Sequence, residues 1–162
     1  MAKQEPEALG NLDQLLDKWQ AEHRELEASV LEISRWMNQD AQRQAPDFPA
    51  ASARLRQLQQ SLQRHFAHEE ILGQLLAASR GVSTDEIAAA CRQAARDHRT
   101  LNSRLDGLLE QLESSPPPAT SASPQVWAAI VYEFNLFIDL LEQHEEQEED
   151  SARWLHPRHV DP

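Results

Sequence analysis

Four long segments of this chain each carry one apolar stripe, and polar or proline-bearing stretches separate them. In each segment the apolar residues recur at alternating spacings of three and four, the period of a helix that buries one face. The stripes cover residues 12–37, 55–76, 87–112 and 127–141. They predict an all-α protein, an antiparallel up-down-up-down four-helix bundle, in preference to a bundle with a long crossover connection.

Capping and chain-breaking residues predict where the four segments begin and end. The first segment is predicted to begin at Asn11 or Asp13 and to end in the stretch 38–49, and the second to run from about Ala50 to Ser79, just before Gly81. The third is predicted to begin at the capping box of Ser83 and Glu86 and to end at Glu113, and the fourth to begin at Ser123 and Pro124. Proline excludes helix from the connection at residues 114–124. We therefore expect a disordered N-terminus at residues 1–10, one bundle domain at residues 11–153 and a frayed tail at residues 154–162.

Composition excludes several classes of function. The 27 Asp and Glu against 15 Lys and Arg give a formal net charge of -12, which repels phosphate backbones, so we expect no nucleic-acid partner. Because the first ten residues lack an apolar signal segment and nowhere do about 18 apolar residues run together, we expect no membrane association and a cytoplasmic location. The single cysteine, Cys91, excludes an internal disulfide and is interpreted as a small core residue.

Six ionisable residues interrupt the otherwise apolar stripes: His23, His65, Glu69, His98, His144 and Glu148. Burying so many without compensation costs several kcal/mol for each charged group, and a shared cation is the simplest compensation. Counting residues from the helix ends places the histidines at one level of the bundle, except for an offset of about 6 Å between His98 and His144. In the two H-x-x-x-E pairs, imidazole and carboxylate lie one turn apart on the same face.

The donor types favour iron or manganese over structural zinc, because imidazole and carboxylate are present without thiolate. Parallel second and fourth helices would present both H-x-x-x-E pairs in the same axial order, which suits two metals bridged by two carboxylates. A ferritin-like di-iron site is not indicated, since no histidine follows a glutamate by three residues. The zinc-protease motif H-E-x-x-H is also absent.

The motifs AEHREL, HFAHEE, DHRTL and HEEQEE, which occur in this order between residues 11 and 153, resemble the hemerythrin-like family, also called the HHE cation-binding domain. The resemblance implies that His23, His65, His98 and His144 are terminal ligands, and that Glu69 and Glu148 are bridging carboxylates. The oxygen-carrying hemerythrins have a further histidine where this chain has Ala94, and their fourth-helix carboxylate is spaced as H-x-x-x-x-D. The chain is therefore more similar to the wider HHE group, which includes iron- and oxygen-responsive modules.

The leading functional hypothesis is a non-haem di-iron protein that binds or senses dioxygen, peroxide, nitric oxide or iron itself. The alternatives are a di-iron enzyme of peroxidase or ferroxidase type, and a structural bundle with vestigial ligands. Outside the stripes, His68, His156 and His159 are interpreted as solvated, Glu145 as part of a solvated acidic face, and Glu70 as a candidate support for a histidine ligand. Competition between metal and protons is expected just below neutrality, near the ordinary histidine pKa of about 6.5.

Overall fold

The computed structural model describes residues 5–79, 84–115 and 123–155, and these residues form helices and no strand. The helices are α1 (Glu5–Met37), α2 (Asp40–Gln44), α3 (Phe48–Ser79), α4 (Thr84–Glu113) and α5 (Ser123–Leu155). Four of them are the long helices that the apolar stripes predict. The remaining helix, α2, is short and lies within the connection 38–49. None of the helices is long and apolar enough to cross a membrane in the part of the chain described.

The observed helix ends agree with the predicted ends at Ser79 and Glu113, whereas two of the starts lie earlier than predicted. Helix α1 begins at Glu5, because Pro6 is compatible with a first turn, whose amides need no intrahelical acceptor. Helix α3 begins at Phe48 and not near Ala50, because the Asp47 carboxylate accepts a hydrogen bond of 2.9 Å from the Ala50 amide.

Two further boundary predictions concern α4 and α5. Helix α5 includes Ser123, which was predicted as the N-cap, so this start differs by one residue. The stop at Gly81 and the capping box of Ser83 and Glu86 fall on residues or side chains outside those described. They remain predictions.

Neighbouring long helices run antiparallel around the whole bundle, as predicted. On α1 and α3, Lys18 lies beside His68, whereas Arg54 of α3 pairs with Glu32, further along α1. The other neighbouring helices show the same reversal. Helices α3 and α4 pair Arg56 with Glu113 and Glu69 with His98, and helices α4 and α5 pair Arg104 with Glu133 and His98 with His144. Helices α1 and α5 pair Met37 with Trp127 and His23 with Glu148. Helices α3 and α5 therefore lie on a diagonal and run parallel.

The connection between α1 and α3 covers the start of α5. The indole Nε1 of Trp127 donates a hydrogen bond of 3.1 Å to the Met37 carbonyl, and its ring packs against the edges of Phe48 and Trp36. Helix α2 also packs on α5. These contacts fix the axial position of α5, which counting residues along the sequence left uncertain by about 6 Å.

The apolar core lies mainly on one side of the level occupied by the six ionisable residues. The larger cluster draws on residues 26–37, 48–66, 101–112 and 127–141. The smaller cluster, on the opposite side of that level, consists of Leu16, Trp19 and Leu72, with Leu15 against it. Among the side chains that the structure describes, the six residues therefore lie between the larger and the smaller cluster.

Candidate metal centre

The structure brings together the six residues that interrupt the apolar stripes. The four histidines and Glu69 are buried, with 2–8% of their surface exposed, and Glu148 is partly buried. The donor atoms fall into two groups, each within 4.8 Å: His23 and His65 with both glutamates, and His98 and His144 with both glutamates. Each group thus has two imidazoles, and both groups share the same two carboxylates.

Glu69 directs one carboxylate oxygen towards each pair of histidines. Its Oε1 lies 2.5 Å from Nε2 of His65 and 3.4 Å from Nε2 of His23. Its Oε2 lies 2.9 Å from Nε2 of His98 and 3.7 Å from Nε2 of His144. This carboxylate on α3 therefore lies between the α1–α3 half and the α4–α5 half of the cluster.

Glu148 on α5 has the corresponding arrangement from the opposite end of the same diagonal. Its Oε2 lies 3.8 Å from Nε2 of His23, whereas its Oε1 lies 3.4 Å from Nε2 of His144 and 3.9 Å from Nε2 of His98. These distances are too long for hydrogen bonds but short enough for one cation to lie among the donors. Each carboxylate therefore lies between the two histidine pairs.

Two acidic residues that the sequence analysis did not single out approach the other nitrogen of a cluster histidine. Glu22 on α1 lies 3.1 Å from Nδ1 of His65, and Asp97 on α4 lies 3.7 Å from Nδ1 of His144. Glu22 is within hydrogen-bond distance and holds the His65 imidazole in one orientation, which leaves its Nε2 for a metal, whereas Asp97 is close to His144 but beyond hydrogen-bond distance. Both residues directly precede a stripe histidine in sequence, and that repeated pattern was the available signal.

Aromatic rings cover both halves of the cluster. Trp19 packs on His23 with ring centroids 4.2 Å apart, and its Nε1 donates a hydrogen bond of 3.1 Å to Oε1 of Glu69. Phe66 stacks on His98 at 3.9 Å, nearly parallel to it. Phe134 and Phe137 are fully buried in the large core. Trp19 and Phe66 therefore shield the imidazoles.

The carboxylates strongly favour protonated histidines when no metal neutralises them. Burial lowers the pKa of His23 and His98, but contacts with Glu148 and Glu69 outweigh it and raise the pKa of both imidazoles to about 9. Burial is likewise outweighed at His65, whose pKa is raised by Glu69 and Glu22. Burial opposes ionisation of Glu69, yet the four imidazoles hold its pKa well below the usual range.

Several atoms of the cluster that could ligate a metal are buried without a hydrogen-bond partner. They are Nε2 of His65, Oε2 of Glu69 and Oε2 of Glu148. The 2.5 Å approach of His65 to Glu69 is thus a close contact that lacks hydrogen-bond geometry. Buried polar atoms left in this state cost about 1–3 kcal/mol each, and a cation among them would remove that cost. The donor set therefore fits a metal centre.

Residues that were interpreted as lying outside the site have mixed outcomes. His68 is partly exposed and is hydrogen bonded through Nδ1 to Glu22 at 2.7 Å, so it belongs to the surroundings of His65. Glu70 is exposed. Glu145 was assigned to a solvated acidic face, but it is partly buried, and burial raises its pKa. His156 and His159 lie outside the described residues.

Cys91 is exposed, which corrects its interpretation as a core residue. It lines a cavity of about 270 Å³ between α3 and α4 that reaches Glu69, His98 and Glu148. The sequence periodicity predicted helix α4 correctly. However, the space beside Cys91 is unfilled, because its neighbours Ala90, Ala94 and Ala95 are small.

An antiparallel bundle with two histidine pairs and two shared glutamates defines the class of helical proteins that bind cations between their helices. The family model described as the hemerythrin HHE cation binding domain matches residues 14–152, and the chain belongs to that family. The resemblance seen in the sequence motifs is thereby confirmed. No curated protein and no solved structure matches the chain.

Proposed function

We propose that this chain is a non-haem di-iron protein that binds or senses dioxygen, peroxide, nitric oxide or iron itself. His23, His65, His98 and His144 are the terminal ligands, and Glu69 and Glu148 bridge the two metals. The observation that carries the proposal is that each glutamate directs one oxygen to each histidine pair. A site for a single ion needs no such duplication.

The chemistry of the donors supports iron. Imidazole and carboxylate are the ligands of the cluster, and no thiolate is among them. A structural zinc site is closed by four ligands of its own, whereas here the two groups share their carboxylates. Manganese accepts similar donors, so metal analysis decides between the two.

Open coordination is what makes the centre suitable for small ligands. Two imidazoles and two shared carboxylates supply about four donors to each ion, and an octahedral ion has about six positions. The bound metals would supply Lewis acidity and redox chemistry at those positions. The chain itself holds the His65 imidazole through Glu22, and it limits water with Trp19 and Phe66.

Anaerobic reconstitution with ferrous iron, followed by metal analysis and optical spectroscopy, tests the proposal. We expect about two irons per chain and, after exposure to air, near-ultraviolet absorption from bridged ferric iron. The Glu69→Gln and Glu148→Gln variants keep the side-chain volume, and each should hold fewer irons. Uptake of one ion, or of zinc alone from a mixture of metals, would contradict the di-iron assignment.

A di-iron enzyme of peroxidase or ferroxidase type is the second candidate, and the cavity that reaches Glu69 and Glu148 favours it. Turnover of peroxide well above that of free iron would support the enzyme. A reversible spectral change under oxygen or nitric oxide without turnover would support the binding protein.

A further inference from the structure

The cavity beside the centre is mainly apolar and leads from the surface to the bridging carboxylates. Its walls include Trp19, Leu72 and Ile87, which are each at most 7% exposed. Glu70, Gln74 and Cys91 also line it, and because these three are exposed they mark its mouth. The inner end is formed by Glu69, His98 and Glu148.

The size of the cavity exceeds what a diatomic ligand requires. Its volume is about 270 Å³, whereas one water molecule has a share of about 30 Å³ in the liquid, and apolar cavities of about 150 Å³ hold benzene. Dioxygen, nitric oxide or hydrogen peroxide would leave most of this space empty. The volume corresponds to an organic molecule with about six carbons and a polar end group.

Small side chains on two facing helices create the space. A methyl group added at Gly73 of α3 would lie 3.2 Å from Sγ of Cys91 on α4, so the helices are close at that point. Next to this contact, Ala90, Ala94 and Ala95 leave the space unfilled. A larger residue at position 94 would project into the cavity one turn before His98.

The inner end of the cavity has ligating atoms that the protein itself does not satisfy. Glu69 is 8% exposed, and its Oε2 is buried without a hydrogen-bond partner, as is Oε2 of Glu148. Without metal these two carboxylates repel an anion. With two divalent ions in place, the positive charge outweighs both carboxylates, and an anionic oxygen is attracted to the same end. The charge of Glu70 at the mouth is exposed and screened by solvent.

We propose that this cavity binds a small apolar monocarboxylate, with its hydrocarbon part against Leu72, Ile87 and Ala94 and its carboxylate at the metal centre. The inference rests on the proposed function, because it requires the metals, and it names the class of organic ligand for the same site. The ligand is thus larger than dioxygen or nitric oxide, and the cavity walls select it by the length of its apolar part.

Calorimetric titration of the iron-loaded protein with acetate, butyrate and hexanoate tests the proposal. Each buried methylene should tighten binding by about fourfold, so hexanoate should bind up to about two hundred times more tightly than acetate. Metal-free protein should bind none of the three. Metal analysis of the same samples shows separately whether the centre is occupied.

Variants on α4 test whether the preference for hexanoate over acetate arises in this cavity. Ala94→Leu should fill the cavity and remove the preference for hexanoate while acetate still binds, and Ala90→Leu serves the same purpose if the first variant does not fold. Ala89→Leu is the matched control, because position 89 is exposed on the same helix and outside the cavity. This control should keep the full preference for hexanoate.

Three different results would overturn the inference. Equal affinity for acetate and hexanoate in protein that holds two irons would refute the cavity proposal and leave the di-iron function intact. Failure to take up metal would refute the di-iron function, and the carboxylate site with it. A chain-length preference that persists in both Ala94→Leu and Ala90→Leu would place the hydrocarbon outside this cavity.

Discussion

Binding of ferrous iron at pH 8 is expected to release about two protons from His23 and His98, because a protonated imidazole cannot ligate a metal. In the metal-free protein, contacts with Glu148 and Glu69 outweigh burial and raise the pKa of both histidines to about 9. The competition between protons and metal is therefore displaced upwards from the ordinary histidine range, which corrects the expectation of competition just below neutrality.

The number of protons released follows from the pKa of the two histidines. At pH 8 a group with a pKa of about 9 carries about 0.9 proton, so the two histidines together release about 1.8. Four histidines with the ordinary pKa would together carry only about 0.1 proton at this pH. Between pH 8 and pH 7, proton competition should weaken metal binding about tenfold for each of the two raised histidines.

Calorimetry in buffers that differ in ionisation enthalpy measures the released protons directly. Ferrous iron is added anaerobically at pH 8, and the dependence of the observed heat on the buffer gives the number of protons per chain. A second titration, at pH 7, checks the fall in affinity. Release of less than about half a proton at pH 8 would show that the carboxylates do not hold the imidazoles protonated, and the reasoning would fail.

Three other predictions follow from the same contacts. Because the raised pKa of His23 and His98 stabilises the metal-free fold fully below pH 6.5, and this contribution is lost as pH rises through about 9, the melting temperature of metal-free protein should fall between these values. The stabilisation by iron should increase over the same interval, and melting curves at both pH values check this. His68→Ala should keep the iron stoichiometry, measured by metal analysis, since its nitrogen contacts Glu22 and no metal group includes it. Glu22→Gln should weaken iron binding by about tenfold or more, because His65 loses an orienting carboxylate, with exposed Glu27→Gln as the control in the same titration.

Sequence periodicity brought out the six residues that cluster in the structure, because burial and helical phase are properties of a single segment. A histidine in an apolar stripe faces the core, and counting at about 1.5 Å per residue gives its height. The position of α5 was less certain, because it depends on the contact of Trp127 with the Met37 carbonyl, which joins distant parts of the chain. Nothing in the local pattern encodes that contact.

The contacts of the flanking carboxylates could not be predicted for a similar reason. Glu22 and Asp97 lie next to a stripe histidine in sequence, yet each approaches a histidine on the neighbouring helix. Which neighbour a residue at the edge of a stripe contacts depends on how the two helices are rotated against each other. Glu145 was misassigned for the same reason, because a residue one position from His144 lies at the edge of the buried face.

The uneven distribution of the core has a mechanical consequence. Among the side chains that the structure describes beyond the centre, the buried apolar ones are Leu16, Trp19, Leu72 and Ile87, and the last three line the cavity. Glu69 and Glu148 come from the diagonal helices α3 and α5, so metals bound between them would stabilise that end of the bundle. Amides of residues 13–22 should therefore exchange hydrogen more slowly when iron is bound, whereas those of residues 101–112 should exchange equally slowly in both forms. If the centre holds metal as proposed, its occupancy would set the stiffness of one end of the bundle without a change in the fold.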